Sequence, residues 1–277
     1  MRFWFFLLTK KSSKQEKRFI IFQSIEANML AADPVFMISF SLILAVVAFL
    51  YGSVGHGGAS GYLALMALFG FSLLVMKPTA LILNIFVSGI SFYFFRANKF
   101  FNWKLFYPFA ITSIPAAFIG GGIAINPTLY KQILGVFLFL AILRILGLFG
   151  KAPLKENQKV NIPLALAVGL GIGFFSGMIG IGGGIILSPV ILLLGWGNLK
   201  ESAAVSALFI FVNSVSGAMG FVVGGGEIPN EALYLIPAAL IGGTLGSYYG
   251  SNKFSFPVLK YILSAVLFIA FVKLMTV

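Results

Sequence analysis

The sequence predicts an all-α integral membrane protein. About ten transmembrane segments form two homologous five-segment repeats with Gly-rich helix breaks. Three observations carry this reading. First, 60% of the 277 residues are hydrophobic and only 9% are charged, where a soluble domain carries about 25% charged residues. Such a chain cannot cover a water-facing surface, and the mean hydropathy of +1.03 agrees. Second, the apolar residues lie in continuous runs of roughly 17–22 positions, the length of a helix crossing a ~30 Å hydrocarbon core. Strands of an outer-membrane barrel would be shorter and alternating. Third, motifs recur in one order at a nearly constant offset, from Pro115 to Pro237 and from Lys131 to Lys260.

The segments follow in order. Residues 1–30 form a basic arm, "MRFWFFLLTKKSSKQEKRF" and onward, whose apolar run is too short to span. It lacks a small-residue cleavage site, so it does not read as a signal peptide. It is either an interfacial amphipathic arm or an over-called start, with Met29 the first true residue. The first repeat occupies 31–150, with segments near 35–53, 58–75, 79–96, 105–124 and 129–149. A basic linker, predicted to be cytoplasmic, covers 151–161. The second repeat occupies 162–277, with segments near 162–178, 184–196, 202–223, 232–250 and 257–275. Gly, Pro and polar clusters separate the runs, as in "RANKFFNWK" (Arg96–Lys104) and "GGGEIPNE" (Gly224–Glu231).

The repeat is visible residue by residue. "PAAFIGG" at Pro115–Gly121 matches "PAALIGG" at Pro237–Gly243, and "KQILGVFLFLAILRIL" at Lys131–Leu146 matches "KYILSAVLFIAFVKLM" at Lys260–Met275. An odd number of crossings per repeat would invert the second copy. Loop charge favours inversion: Arg96, Lys99 and Lys104 mark one loop, and its partner carries Glu227 and Glu231. The positive-inside rule places the first in the cytoplasm and the second outside. The basic arm would then lie outside, against the rule. Copies that cross once at each break would be parallel and would remove that conflict.

The breaks are the functional signal. "GSVGHGGASGYL" (Gly52–Leu63) and "GMIGIGGGIILSP" (Gly177–Pro189) interrupt oily runs with glycine. Non-helical backbone at membrane depth must pack in protein or line a polar cavity. A helix restarting after the break presents free amides and the positive end of its dipole, which attract anions. The candidate binding residues are therefore Gly55, His56, Gly57 and Gly58 in the first break, with Gly180, Gly182, Gly183 and Gly184 in the second. Asn84 and Ser88 lie one turn apart on one helix, and Asn213 and Ser216 lie three apart on its counterpart. Interhelical hydrogen bonding is the competing reading for those four. His56, the only histidine, is either a proton carrier or a loop residue at the interface. For the single pairs Gly120–Gly122 and Gly242–Gly243, close helix packing is the simpler reading. Arg144 and Lys273 read as snorkelling cations, and Lys77 and Lys200 as interfacial ones.

Composition narrows the chemistry. The chain has no cysteine, which removes disulfides and thiolate metal sites. Its seven carboxylates (Glu16, Glu26, Asp33, Glu156, Glu201, Glu227 and Glu231) fall in the arm or between apolar runs. One histidine and no membrane-depth acid argue against an enzyme. No P-loop appears, and no cofactor or metal is expected. The net charge of +12 reads as loops facing anionic lipid, with no nucleic-acid partner. The predicted partners are a small anionic substrate and the lipid bilayer. Oligomeric state is left open. A non-transporting scaffold or assembly factor is the alternative function.

At "GMIGIGGGIILSPVILLLG" (Gly177–Gly195), "VGHGGASGYLALMAL" (Val54–Leu68) and "LILNIFVSGISFYFFRANKFFNWKLFYPFAITSIPAAFIGG" (Leu81–Gly121), the chain resembles the TauE/SafE sulfite exporter family of membrane permeases. The resemblance covers residues 35–275. It implies a multi-pass secondary transporter of the bacterial inner membrane that moves sulfite, sulfonates or related organosulfur anions. Ala64 stands where the second break has Pro189, and the basic arm departs from the family's short start.

Overall fold

Residues 34–148, 158–252, 267–269, 271–272 and 275 are described by a computed structural model. The basic arm, most of the linker and most of the tenth expected segment lie outside the described residues. So do the side chains of Arg144 and Lys273. Among the described residues the ordered elements are nine helices, with no strand. They are α1 (Pro34–Ser53), α2 (Ala59–Leu68), α3 (Leu73–Ala97), α4 (Trp103–Gly122), α5 (Pro127–Ile145), α6 (Ile162–Ile179), α7 (Gly184–Leu193), α8 (Leu199–Val223) and α9 (Asn230–Asn252).

Asparagine starts four of the long helices, Asn126 at the head of α5 among them. Asn102 accepts from Leu105 N at the head of α4, and Asn161 accepts from Leu164 N at the head of α6. Asn198 and Glu201 form a reciprocal capping box at the head of α8. Each satisfies amides that have no intrahelical acceptor. Five helices (α1, α3, α4, α6 and α8) are long and apolar enough to cross a membrane.

The sequence reads apolar segments near 58–75 and 184–196, and the helices found there are shorter. Both α2 and α7 have ten residues, about 15 Å of rise, which is half a hydrocarbon core. The cause is punctuation at both ends. Gly58 (φ 97°) and Gly183 (φ 84°) precede them, and Gly70 (φ 79°) and Gly195 (φ 65°) follow them. All four adopt the left-handed conformation that ends a helix.

Helices from the two halves of the chain interleave. The most extensive pairs are α4 with α6 and α9 with α1, and α3 packs on α8 at the centre. Two rows of glycine allow this. Gly169, Gly173 and Gly177 of α6 lie on the backbone of Phe109, Ser113 and Ala117 in α4. Gly242, Gly246 and Gly250 of α9 lie on the backbone of Ala45, Phe49 and Ser53 in α1. A spacing of four keeps each row on one face. Residue numbers rise together in both pairs, so these helices run parallel. In contrast, α3 and α8 run antiparallel. Lys77 at the start of α3 lies 5.3 Å from the Phe221 ring at the end of α8. Lys200 at the start of α8 lies 5.7 Å from the Phe95 ring at the end of α3.

The glycine pairs expected to serve packing do so. Gly120 abuts the Phe174 carbonyl, Gly121 the Gly217 carbonyl and Gly242 the Ala45 carbonyl.

Candidate functional site

Between α1 and α2 the chain leaves the helix at Val54, and Gly55 (φ 74°) and Gly58 (φ 97°) reverse its direction. Between α6 and α7 the same is done by Gly180 (φ 93°), Gly182 (φ 75°) and Gly183 (φ 84°). Side chains rarely tolerate this region, so glycine is required at these turns. The two interruptions meet in space. Asn84 of α3 joins them: its Oδ1 accepts from Ala59 N at 3.0 Å, and its Nδ2 donates to Ile181 O at 3.2 Å. One amide thus caps the start of α2 and holds the turn before α7.

The junction is tightly filled in this conformation. A Cβ on Gly57 would run into Asn84 Oδ1. A Cβ on Gly182 would lie 2.8 Å from both Asn84 Nδ2 and the Ile210 side chain, and 3.0 Å from Ser214 Oγ. His56 is buried (1% exposed). Its Nδ1 lies 2.8 Å from Val54 O, and its Nε2 lies 3.1 Å from both Gly184 O and Ser188 Oγ. A neutral ring can donate from Nδ1 to Val54 and accept the Ser188 hydroxyl at Nε2. A second proton would turn Nε2 into a donor for Gly184 O. Ser188 Oγ also sits 2.7 Å from Ser206 Oγ, which extends the polar chain into α8.

The remaining sequence candidates divide. Gly55 packs against Ala203, Gly183 against Ile172 and Phe209, and Gly184 against Ile210, so all belong to the junction. Ser88 donates back to Asn84 O in its own helix. Asn213 Nδ2 donates to Phe209 O of its own helix, and its Oδ1 is buried with no partner among the described residues. Ser216 donates to Ile114 O on α4 at 2.6 Å, away from the breaks. Ser216→Ala should therefore cost about 1 kcal/mol of stability and leave solute flux unchanged. Thermal unfolding in detergent and a vesicle flux assay check both halves.

Sequence reasoning missed Ser188, Ser206 and Ser214. Ser188 lies one turn beyond Gly184 on α7, and Ser202, Ser206 and Ser214 recur at multiples of four along α8. That spacing was a readable signal of one polar face. Among the described residues Ser214 Oγ and Thr79 Oγ1 are buried without a partner, and a buried unpaired hydroxyl needs an explanation.

Lys77, an interfacial cation by sequence, has its side chain buried within the protein (6% exposed), and its Nζ donates to Gly121 O at 2.8 Å, near the end of α4. Lys200 caps α9 in the same way, donating to Gly250 O and Ser251 O.

A cavity of about 900 Å³ opens beside the Glu227–Glu231 loop, between the start of α3 and the ends of α4 and α8. Its lining includes Gly121, Phe221 and Glu227 and none of the break residues.

Comparison with known proteins agrees with a transport fold. The model of the sulfite exporter TauE/SafE family matches residues 40–274. A probable membrane transporter protein of Sinorhizobium fredii, y4hK, is 37% identical over 245 residues, covering 86% of this chain and 98% of that protein. A second probable membrane transporter protein, YunE of Bacillus subtilis, is 26% identical over 237 residues, covering 74% of this chain and 87% of its own. No solved structure matches. With the family match spanning nearly all the described helices, this multi-pass membrane chain belongs to the TauE/SafE sulfite exporter family.

Proposed function

We propose that the chain is a secondary transporter of small anions, of the sulfite, sulfonate or related organosulfur class, working by alternating access around the two breaks. The observation that carries this is Asn84, whose single amide holds both interruptions together. A joint of that kind can open as a unit when the flanking helices move. Opening would uncover the amides at the heads of α2 and α7, where intrahelical acceptors are missing. Those amides and two helix dipoles suit an anion without needing a full positive charge. The unpaired hydroxyl of Ser214 beside Gly182 adds a donor.

The inverted-repeat reading supports the same mechanism. Helices of 20, 10 and 25 residues in the first half (α1, α2, α3) are followed by 18, 10 and 25 in the second (α6, α7, α8). Their corresponding members α3 and α8 run antiparallel. Inverted repeats around interrupted helices are how many secondary transporters build a midplane site. Loop charge orients the Arg96–Lys104 loop to the cytoplasm of a bacterial inner membrane. His56 is the group that would couple flux to protons, through its shift between Ser188 and Gly184 O.

The test is flux of labelled sulfite, thiosulfate, methanesulfonate and acetate into vesicles holding only this chain. A sulfur oxyanion is expected to move fastest and to saturate. Equal, non-saturating leak of all four would reject the reading. His56→Ala should flatten the dependence of flux on pH, and an unchanged profile would remove His56 from the coupling.

A further inference from the structure

Lys77 connects two places that are otherwise separate. Its backbone and stem lie against the second break: a Cβ on Gly180 would sit 3.0 Å from Lys77 O and 3.4 Å from Lys77 Cγ. Its ammonium lies at the other end, on Gly121 O and over the Phe221 ring. Gly121 and Phe221 are both walls of the 900 Å³ cavity. The charge therefore stands against two residues that line the cavity, and its stem reaches back to Gly180.

The bonding of this ammonium is incomplete. An ammonium has three donors, and among the described residues Lys77 meets one carbonyl and one ring. Lys200 is more fully engaged, with two carbonyls and the rings of Phe95 and Phe100. Burying a cation with so little compensation is costly. Helix capping alone accounts for one donor, since a cation near a carboxyl end offsets the dipole. The cavity next to this ammonium is also lined by Glu227 and Glu231. Those acids would repel an anion, so attraction there must come from another group.

We propose that Lys77 is an anion-binding residue behind the cavity wall formed by Gly121 and Phe221, where its ammonium leaves Gly121 O to pair with the oxyanion and guide it to the second break. This rests on the transport reading and names a binding group for it. Freed of Lys77, the end of α4 loses the tie that holds it to α3. Binding and opening on this side are thereby linked.

The experiment uses the full chain in vesicles, with labelled sulfite varied in concentration. Lys77→Gln keeps a donor for Gly121 O and removes the charge. It is expected to raise the half-saturating concentration about tenfold, the scale of a lost charge-assisted contact. Lys77→Arg should stay within about threefold of the parent. A second arm needs no transport. Because the chain has no cysteine, Ile123→Cys at the cavity wall gives a single thiol. Its labelling by a sulfonate-bearing and an ammonium-bearing thiol reagent is compared with and without Lys77→Gln. Loss of the preference for the anionic reagent is the expected result, and Lys77→Met serves if the glutamine variant does not fold. An unchanged half-saturation or an unchanged reagent ratio overturns the assignment. Absence of flux in the parent would reject the transport reading instead, and the labelling ratio would then judge Lys77 alone.

Discussion

Asn84→Ala is expected to reduce anion flux by at least about a hundredfold, the cost of losing precise positioning at a working site, while leaving a folded protein. The reasoning starts from what the amide holds. Asn84 is fully buried and makes one bond to each interruption. Alanine orphans Ala59 N and Ile181 O in the buried interior, at about 1–3 kcal/mol for each unsatisfied group. That sum weakens the protein, but the long helices keep their own packing through the glycine rows. On the proposed mechanism, what fails is the register between the two breaks, and with it the shared anion site. Asn84→Asp should be at least as poor, because a carboxylate has no donor for Ile181 O and repels an anion. The check is the initial rate in vesicles, normalised to monodisperse protein. A rate within half of the parent would sink the idea that the joined breaks are the site. Substitution of the glycines themselves is a weaker test. A Cβ on Gly58 would lie 2.6 Å from the Tyr62 ring, and at φ 97° any side chain is strained. Lost flux there would report damage to the fold.

Gly173→Leu should prevent the protein from reaching its folded state in useful amounts. A Cβ at this position enters the backbone of Ser113 in α4. Backbone cannot turn aside as a flexible side chain can, so α6 and α4 must separate along the row Gly169, Gly173 and Gly177. Overpacking in a tight core costs about 1–3 kcal/mol and sometimes more, and this contact is at the severe end because two helix axes must move. A matched control lies two residues away. Gly171, on the same helix, has nothing within 4 Å of a Cβ. Gly171→Leu should be neutral or raise stability by about 0.5–1 kcal/mol, since leucine is the better helix former. Yield and midpoint of thermal unfolding in detergent give the comparison. Equal behaviour of the two variants would mean that the α4–α6 contact does not depend on the missing side chain.

Much of the architecture was legible in the residues because its causes are local. Hydropathy summed over a window marks a membrane helix wherever it packs. The helix starts at Asn102, Asn161 and Asn198 are equally local, because capping is settled within three residues, but the segment edges were drawn from hydropathy and punctuation alone. Glycine at 58 and 183 signals a turn because only a residue without Cβ adopts that backbone freely. The half-length of α2 and α7 was harder to read. After α2 the apolar character continues past Gly70 to Val75, and hydropathy counts those residues as span while the backbone turns there.

The candidate site was legible in part for a related reason. Gly57, Asn84 and Gly182 came together as a polar point in an apolar core, and polarity against that background shows in the sequence. Ser216 carried the same signal and serves helix packing on Ile114 instead. Ser188 and Ser214 carried it more weakly and lie at the breaks. Spacing along a helix tells which residues share a face, and not which neighbour that face meets.

The sequence by itself determined that this chain is a bundle of apolar helices interrupted twice by glycine, because hydrophobic burial and backbone freedom depend on each residue and its near neighbours. Only the tertiary structure decided that the interruptions touch, that Asn84 ties them, and that His56 faces Ser188 from 132 positions away. Those contacts follow from how closely whole helices approach one another, which the glycine rows set at points remote in the chain.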